Sequence, residues 1–190
     1  MPFNIDPGEE KVHVGDTITI SATISDSLLD LFSNKKYYLP DFNIPVLWGI
    51  REPGDTSKNI VSQPAVNYKF QFLFDSGYGN VSSNTYANLL PRSEGGFYFY
   101  KCKIIPKEPG VFSIRLADLI INRQLPQSLA PAPRGWQRIP RVVFNRYIIN
   151  GGETHFELYK DRVKVATLSG GYGTGKLVES DFQYTFIVLP

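Results

Sequence analysis

The sequence predicts an all-β chain, an antiparallel β-sandwich of about nine or ten short strands, and three observations carry that reading. The first is composition: 13 Phe and 11 Tyr raise the aromatic share to 14%, and aromatic side chains suit pleated, half-buried surfaces. The second is punctuation: 14 Pro and 16 Gly interrupt the chain too often for long helices. The third is period, because several segments alternate apolar and polar residues, the pattern of a strand with one face buried.

Each element follows in order. Phe3 to Val14 reads as a strand pair broken at Pro7-Gly8, and Gly15-Asp16 as a turn. Thr17–Ser25, TITISATIS, alternates strictly, with Ile18, Ile20, Ala22 and Ile24 on one face. Ser27–Ser33 is the one place a short helix is expected, with Asp26 or Ser27 as its N-cap. Tyr37–Leu39 and Ile44–Ile50 read as strand pieces, bent or placed at edges by Pro40 and Pro45. Ala65–Phe74 alternates so as to put Val66, Tyr68, Phe70, Phe72 and Phe74 on one side. Asp75–Leu90 is rich in Gly, Ser and Asn and reads as a long loop. Phe97–Ile105 and Val111–Leu116 form a hairpin around Pro106–Gly110. Beyond the Pro-rich stretch 125–135 come strands at Arg141–Ile149, Thr154–Tyr159, Val163–Leu168 and Asp181–Leu189, the middle two as a hairpin.

At 190 residues the chain is expected to fold as one domain over residues 1–190, burying roughly 70% of its unfolded surface. The only candidate internal boundary is 125–135, and the strands after it are too few to stand alone. With a single cysteine, Cys102, no intrachain disulfide exists. No apolar run is long enough for a transmembrane helix. The first residues carry no signal peptide, and Met1-Pro2 running straight into a strand matches a chain trimmed of one. Extracytoplasmic placement, periplasmic or at the cell surface, is expected on that condition.

The net charge of +2 points to neither nucleic acid nor membrane, and no nucleic-acid partner is expected. It conceals two opposed regions. Residues 1–34 hold Asp6, Glu9, Glu10, Asp16, Asp26 and Asp30 against Lys11, while residues 119–152 hold Arg123, Arg134, Arg138, Arg141 and Arg146 and no acid. Within the second, Arg134, Trp136, Arg138 and Arg141 are the candidate ligand-binding residues. Arginine forks clamp phosphate, sulfate or carboxylate, and an indole offers a stacking platform. The alternative is a solvated loop whose Trp136 packs back on the sandwich.

No catalytic constellation stands out, and no enzyme, metal or cofactor is expected. Gly170–Lys176, GGYGTGK, fits the phosphate-loop spacing, but Leu177 stands where Ser or Thr would hold magnesium, and its flanks read as strands. His155 and Glu157 share one strand face, yet no third ligand is near. His13 is the only other histidine, and Cys102 reads as a small buried hydrophobe. Asn80-Val81-Ser82 fits the glycosylation pattern.

Val14-Gly15-Asp16-Thr17 at a strand start and Pro109-Gly110-Val111-Phe112 at a later one resemble the immunoglobulin-like sandwiches of exported, uncharacterised Bacteroidetes-type cell-envelope proteins. Tyr100-Lys101-Cys102 is similar to the Tyr-x-Cys of immunoglobulin strand F, and Trp48 to the strand-C tryptophan. The strand-B cysteine is absent, and Ile20 or Ala22 stands there instead. A jelly roll is the alternative sandwich. The resemblance implies a non-catalytic extracytoplasmic domain with a binding or structural role, facing a protein or a glycan, in an oligomeric state the sequence leaves open. Two alternatives stand beside it. One is a carbohydrate-binding module using Trp136, Trp48, Tyr78, Tyr86 and Tyr172; the other is a glycan-active hydrolase with dispersed carboxylates.

Overall fold

The structure, a computed structural model, describes residues 2–30, 34–38, 45–53, 66–75, 78–83, 86–116, 120–121, 142–143, 148–162 and 183–190. Two six-stranded sheets dominate these residues. The strands are β1 (Pro2–Asp6), β2 (Lys11–His13), β3 (Ile18–Ser25), β4 (Ser27–Asp30), β5 (Lys35–Tyr38), β6 (Val46–Arg51), β7 (Phe70–Phe74) and β8 (Gly79–Val81). They continue with β9 (Ala87–Leu89), β10 (Arg92–Glu94), β11 (Phe97–Pro106), β12 (Gly110–Leu116), β13 (Ile120–Ile121), β14 (Val142–Val143), β15 (Ile148–Ile149) and β16 (Gln183–Leu189). One helix, α1 (Phe156–Arg162), accompanies them.

The first sheet runs β10-β11-β3-β1-β15, with β7 sharing the outer edge of β11. The second runs β2-β16-β12-β6-β9-β8. The expected strand pair at the N-terminus is present but divided between the sheets. Asp6 of β1 still pairs with Thr19 of β3, whereas Val12 of β2 pairs with Val188 of β16. Pro7, which has no N–H to offer a ladder, stands at the break.

The apolar alternation places the core. Ile18, Ile20 and Ala22 of β3, with Tyr98, Tyr100, Cys102 and Ile104 of β11, turn one face of the first sheet inward. Val46, Trp48 and Ile50 of β6, Phe112, Ile114 and Leu116 of β12, and Tyr184, Phe186 and Val188 of β16 do so for the second. Phe70 joins the layers, its ring edge-on to Phe112 at 4.9 Å. Glu94 pairs with Phe97 across the β10–β11 turn, leaving Gly95 and Gly96 as a two-residue loop. Their φ values of 59° and 85° are the left-handed geometry that such a turn requires and that glycine adopts without strain.

The all-β sandwich expectation agrees with this architecture, and several details differ. The sheets are mixed, not purely antiparallel: β1 runs parallel to β15 and β2 parallel to β16. The helix expected near residues 27–33 is absent from the described part of that stretch. Ser27–Asp30 is β4, paired with β5 from Ser27↔Tyr38 to Asp30↔Lys35. The helix lies instead at Phe156–Arg162, where a strand was expected. Glu157 in its first turn and Lys160 and Arg162 in its last suit the helix dipole, and Lys160 pairs with Glu157 at 3.0 Å. The loop expected over residues 75–90 contains the β8–β9 hairpin. Tyr68 does not join Phe70 on the inner face, because residues 67–69 form a 3-10 turn that leaves it 59% exposed.

Gly79 offers a test of this hairpin. A Cβ placed there would collide with the Phe74 ring and lie 2.8 Å from the Asn88 carbonyl oxygen. Gly79→Ala is therefore expected to cost about 1–3 kcal/mol, read as a lowered urea midpoint with an unchanged m-value.

Candidate functional site

Hydrogen bonds hold several of the buried and half-buried polar side chains in place. Asn67 Oδ1 accepts the Ile50 N–H at 3.0 Å, and its Nδ2 donates to the Ser83 carbonyl at 3.3 Å. This ties β6 to the β8–β9 hairpin. Asn150 Oδ1 accepts the Ile5 N–H at 2.7 Å, and its Nδ2 donates to the Ile5 carbonyl at 3.2 Å. Thr185 Oγ1 donates to Ser113 Oγ at 3.4 Å across the β12–β16 pair.

One corner gathers titratable groups. His155 Nδ1 lies 2.9 Å from the Thr185 carbonyl, which can only accept, so Nδ1 carries the proton. Its Nε2 is 3.9 Å from Glu153, and its ring packs 4.9 Å from that of Tyr184. The Tyr184 hydroxyl donates to the Glu9 carbonyl at 3.0 Å. Burial above all, then the Glu153, Glu9 and Glu10 carboxylates, hold its pKa above the usual tyrosine value. These bonds tie β16 to the segment before β2 and to the turn before α1.

His155 and Glu157 do not share a strand face. His155 precedes α1, while Glu157 lies within it and faces Lys160. His13 is exposed and pairs with Asp16. Among the described residues no three His, Cys, Asp or Glu side chains converge as metal ligands.

Cys102 is buried on the inner face of β11. Burial pushes its thiol from 9.0 up to about 12, so the neutral thiol is the form the fold accommodates. Its contribution to stability is full below the ordinary value and is lost as pH rises through the folded one. At pH 8.5, iodoacetamide is expected to alkylate native Cys102 at least about a thousandfold more slowly than the urea-unfolded chain, and comparable rates would contradict this burial.

The outward face of the first sheet has a different character. Along β11 the outward set ends at half-buried Ile105, which pairs with Gln71 of β7, and before it come Phe97, Phe99, Lys101 and Lys103. Each of these four stands opposite a hydroxyl of β3: Phe97↔Ser25, Phe99↔Thr23, Lys101↔Ser21 and Lys103↔Thr19. Phe97 is 45% exposed, and its ring lies 6.3 Å from that of Phe99. The Arg92 guanidinium sits 5.8 Å from the Phe99 ring centre and pairs with Glu94 at 2.8 Å. Lys101 and Lys103 are exposed and form no ion pair among the described residues. The face combines apolar rings, cations that form no ion pair among the described residues, and a row of hydroxyls. It was legible in Phe97–Ile105, because the outward set is simply the complement of the inward one.

The residues singled out from sequence fare differently. Arg134, Trp136, Arg138 and Arg141 lie outside the described residues, as do Gly170–Lys176 with Tyr172 and the Pro-rich 125–135. Trp48 is 0% exposed, so it cannot be a stacking platform. Tyr78 and Tyr86 flank β8 and β9, with Tyr86 40% exposed. Asn80 is exposed on β8, its Oδ1 accepting from Asn88. Among the described residues no helix is long and apolar enough to cross a membrane. No family model, curated protein or solved structure matches the chain.

Proposed function

We propose that the chain is a non-catalytic extracytoplasmic β-sandwich of immunoglobulin-like strand order, with a binding or structural role. The observation that carries this reading is the strand order around the divided first strand. Variable-type immunoglobulin sandwiches set strands A-B-E-D against a G-F-C sheet extended by C′ and C″. The order β1-β3-β11, with β7 and β10 on the far edge, parallels A-B-E-D. The order β16-β12-β6-β9-β8 parallels G-F-C-C′-C″, and Trp48 lies on the strand equivalent to C.

The match has three departures: β7 precedes β8 and β9 in the chain, β8 precedes β9 where C′ would precede C″, and β15 adds a strand beyond β1. The likeness of Tyr100-Lys101-Cys102 to strand F also needs correction. Cys102 pairs with Ile20 within one sheet, whereas the immunoglobulin bridge joins strands B and F across two. Its strand takes the place of E, and β12 that of F.

The engagement of Asn67, Asn150, His155 and Tyr184 with backbone groups supports a non-catalytic role. The test is immunoblotting of fractionated native cells, together with incubation of the purified chain with polysaccharide substrates. The expected result is protein in the envelope or medium and no release of reducing ends. A cytosolic pool, or turnover, would overturn the proposal.

A further inference from the structure

We infer that the outward face of β11 and β3 binds a chain of acidic sugars, bearing carboxylate or sulfate groups, laid along β11. This rests on the binding role proposed above and adds the ligand class and the face. Successive outward positions on a strand are about 6.7 Å apart, so Phe97, Phe99, Lys101 and Lys103 form a row roughly 20 Å long. Two rings at one end offer apolar surface to the C–H faces of sugar rings. Two cations at the other end form no ion pair among the described residues and are exposed, ready for charge-assisted hydrogen bonds to acid groups. Thr23, Ser21 and Thr19, facing Phe99, Lys101 and Lys103 on β3, match the hydroxyls that a sugar chain presents along its length.

The arrangement favours a sparsely charged polymer. Arg92 on this face is already paired with Glu94, Asp6 of β1 stands at its far side opposite Thr19, and the whole chain carries only +2. Single-stranded nucleic acid, with a phosphate on every residue, is held by denser basic surfaces. A neutral glycan would leave Lys101 and Lys103 without a purpose in binding.

The test is isothermal titration calorimetry of the full chain with four probes: a hyaluronan hexasaccharide, which bears one carboxylate on every second sugar and no sulfate, a keratan sulfate hexasaccharide, which bears sulfate and no carboxylate, neutral laminarihexaose and hexadeoxythymidylate. Binding of at least one acidic hexasaccharide is expected, and which of the two binds distinguishes carboxylate from sulfate. Laminarihexaose and the oligonucleotide should bind more weakly than that probe. The double variant Lys101→Gln, Lys103→Gln should weaken binding at least about tenfold with an unchanged circular dichroism spectrum. Phe97→Ser should weaken it too, and Lys11→Gln, on the second sheet, should not. The inference is overturned if neither acidic probe binds, if a control binds as tightly, or if the lysine variant binds like the parent. Failure here with the protein still found outside the cytosol removes only the ligand assignment; cleavage of the acidic probe removes the non-catalytic reading and leaves the face in place.

Discussion

Trp48→Ala is expected to cost about 3–5 kcal/mol, enough to remove most of the stability of an ordinary domain. Trp48 is fully buried at the middle of the second sheet, with Leu116 of β12 on one side and Ala87 of β9 on the other. Its ring lies 5.3 Å from that of Phe72, which belongs to the first sheet, so the indole joins the two layers. Alanine would lose that contact and leave a cavity that the paired strands on either side cannot close. Trp48→Phe should be far milder, about 1–2 kcal/mol, because Nε1 has no hydrogen-bond partner among the described residues and its removal orphans nothing. Urea unfolding followed by circular dichroism gives both values. Equal losses for the two variants would contradict a role based on volume.

Asn150→Ala is expected to cost about 2–4 kcal/mol. Among the described residues β15 pairs with β1 at Pro2↔Ile148 and Phe3↔Ile149 before the chain turns away. The Asn150 amide then continues the ladder, serving both the N–H and the C=O of Ile5 as a peptide group would. Alanine leaves both unpaired. It also meets the left-handed backbone at residue 150, where φ is 46°, a conformation Asn tolerates better than most residues. Asn150→Gly separates the two effects, since glycine relieves the backbone strain and not the lost bonds. Hydrogen exchange at the Ile5 amide should accelerate in both variants, and unchanged protection would show that the amide is dispensable.

Legibility in the sequence followed the length of each alternation. β3 and β11 are long enough for Ile18, Ile20 and Ala22, or Tyr98, Tyr100 and Cys102, to declare an inner face, and the outward rows came with them. β8 and β9 span three residues each, too few to show a period within a Gly-, Ser- and Asn-rich stretch. The regular spacing from Val66 to Phe74 was misleading at Tyr68, because the Asn67 amide binds Ile50 and the chain turns there. Residues 154–159 carry aromatics at a strand-like frequency, yet Glu157 and Lys160 mark a helix face. The division of β1 and β2 between sheets depends on partners near residues 148 and 188, and Pro7-Gly8 signals only a break. Of the candidate site, the rings and lysines of β11 were readable as a row. Their pairing with the β3 hydroxyls was not, because register is a long-range property.

The most direct measurement is an NMR titration of the 15N-labelled chain with the acidic hexasaccharide that binds, following every backbone amide. The expected result is a set of shifts confined to Phe97, Phe99, Lys101, Lys103 and their β3 partners Ser25, Thr23, Ser21 and Thr19. Shifts centred instead on Glu153, His155 and Tyr184 would contradict the account, because the ligand would then sit on the groups assigned here to holding the sheet edge.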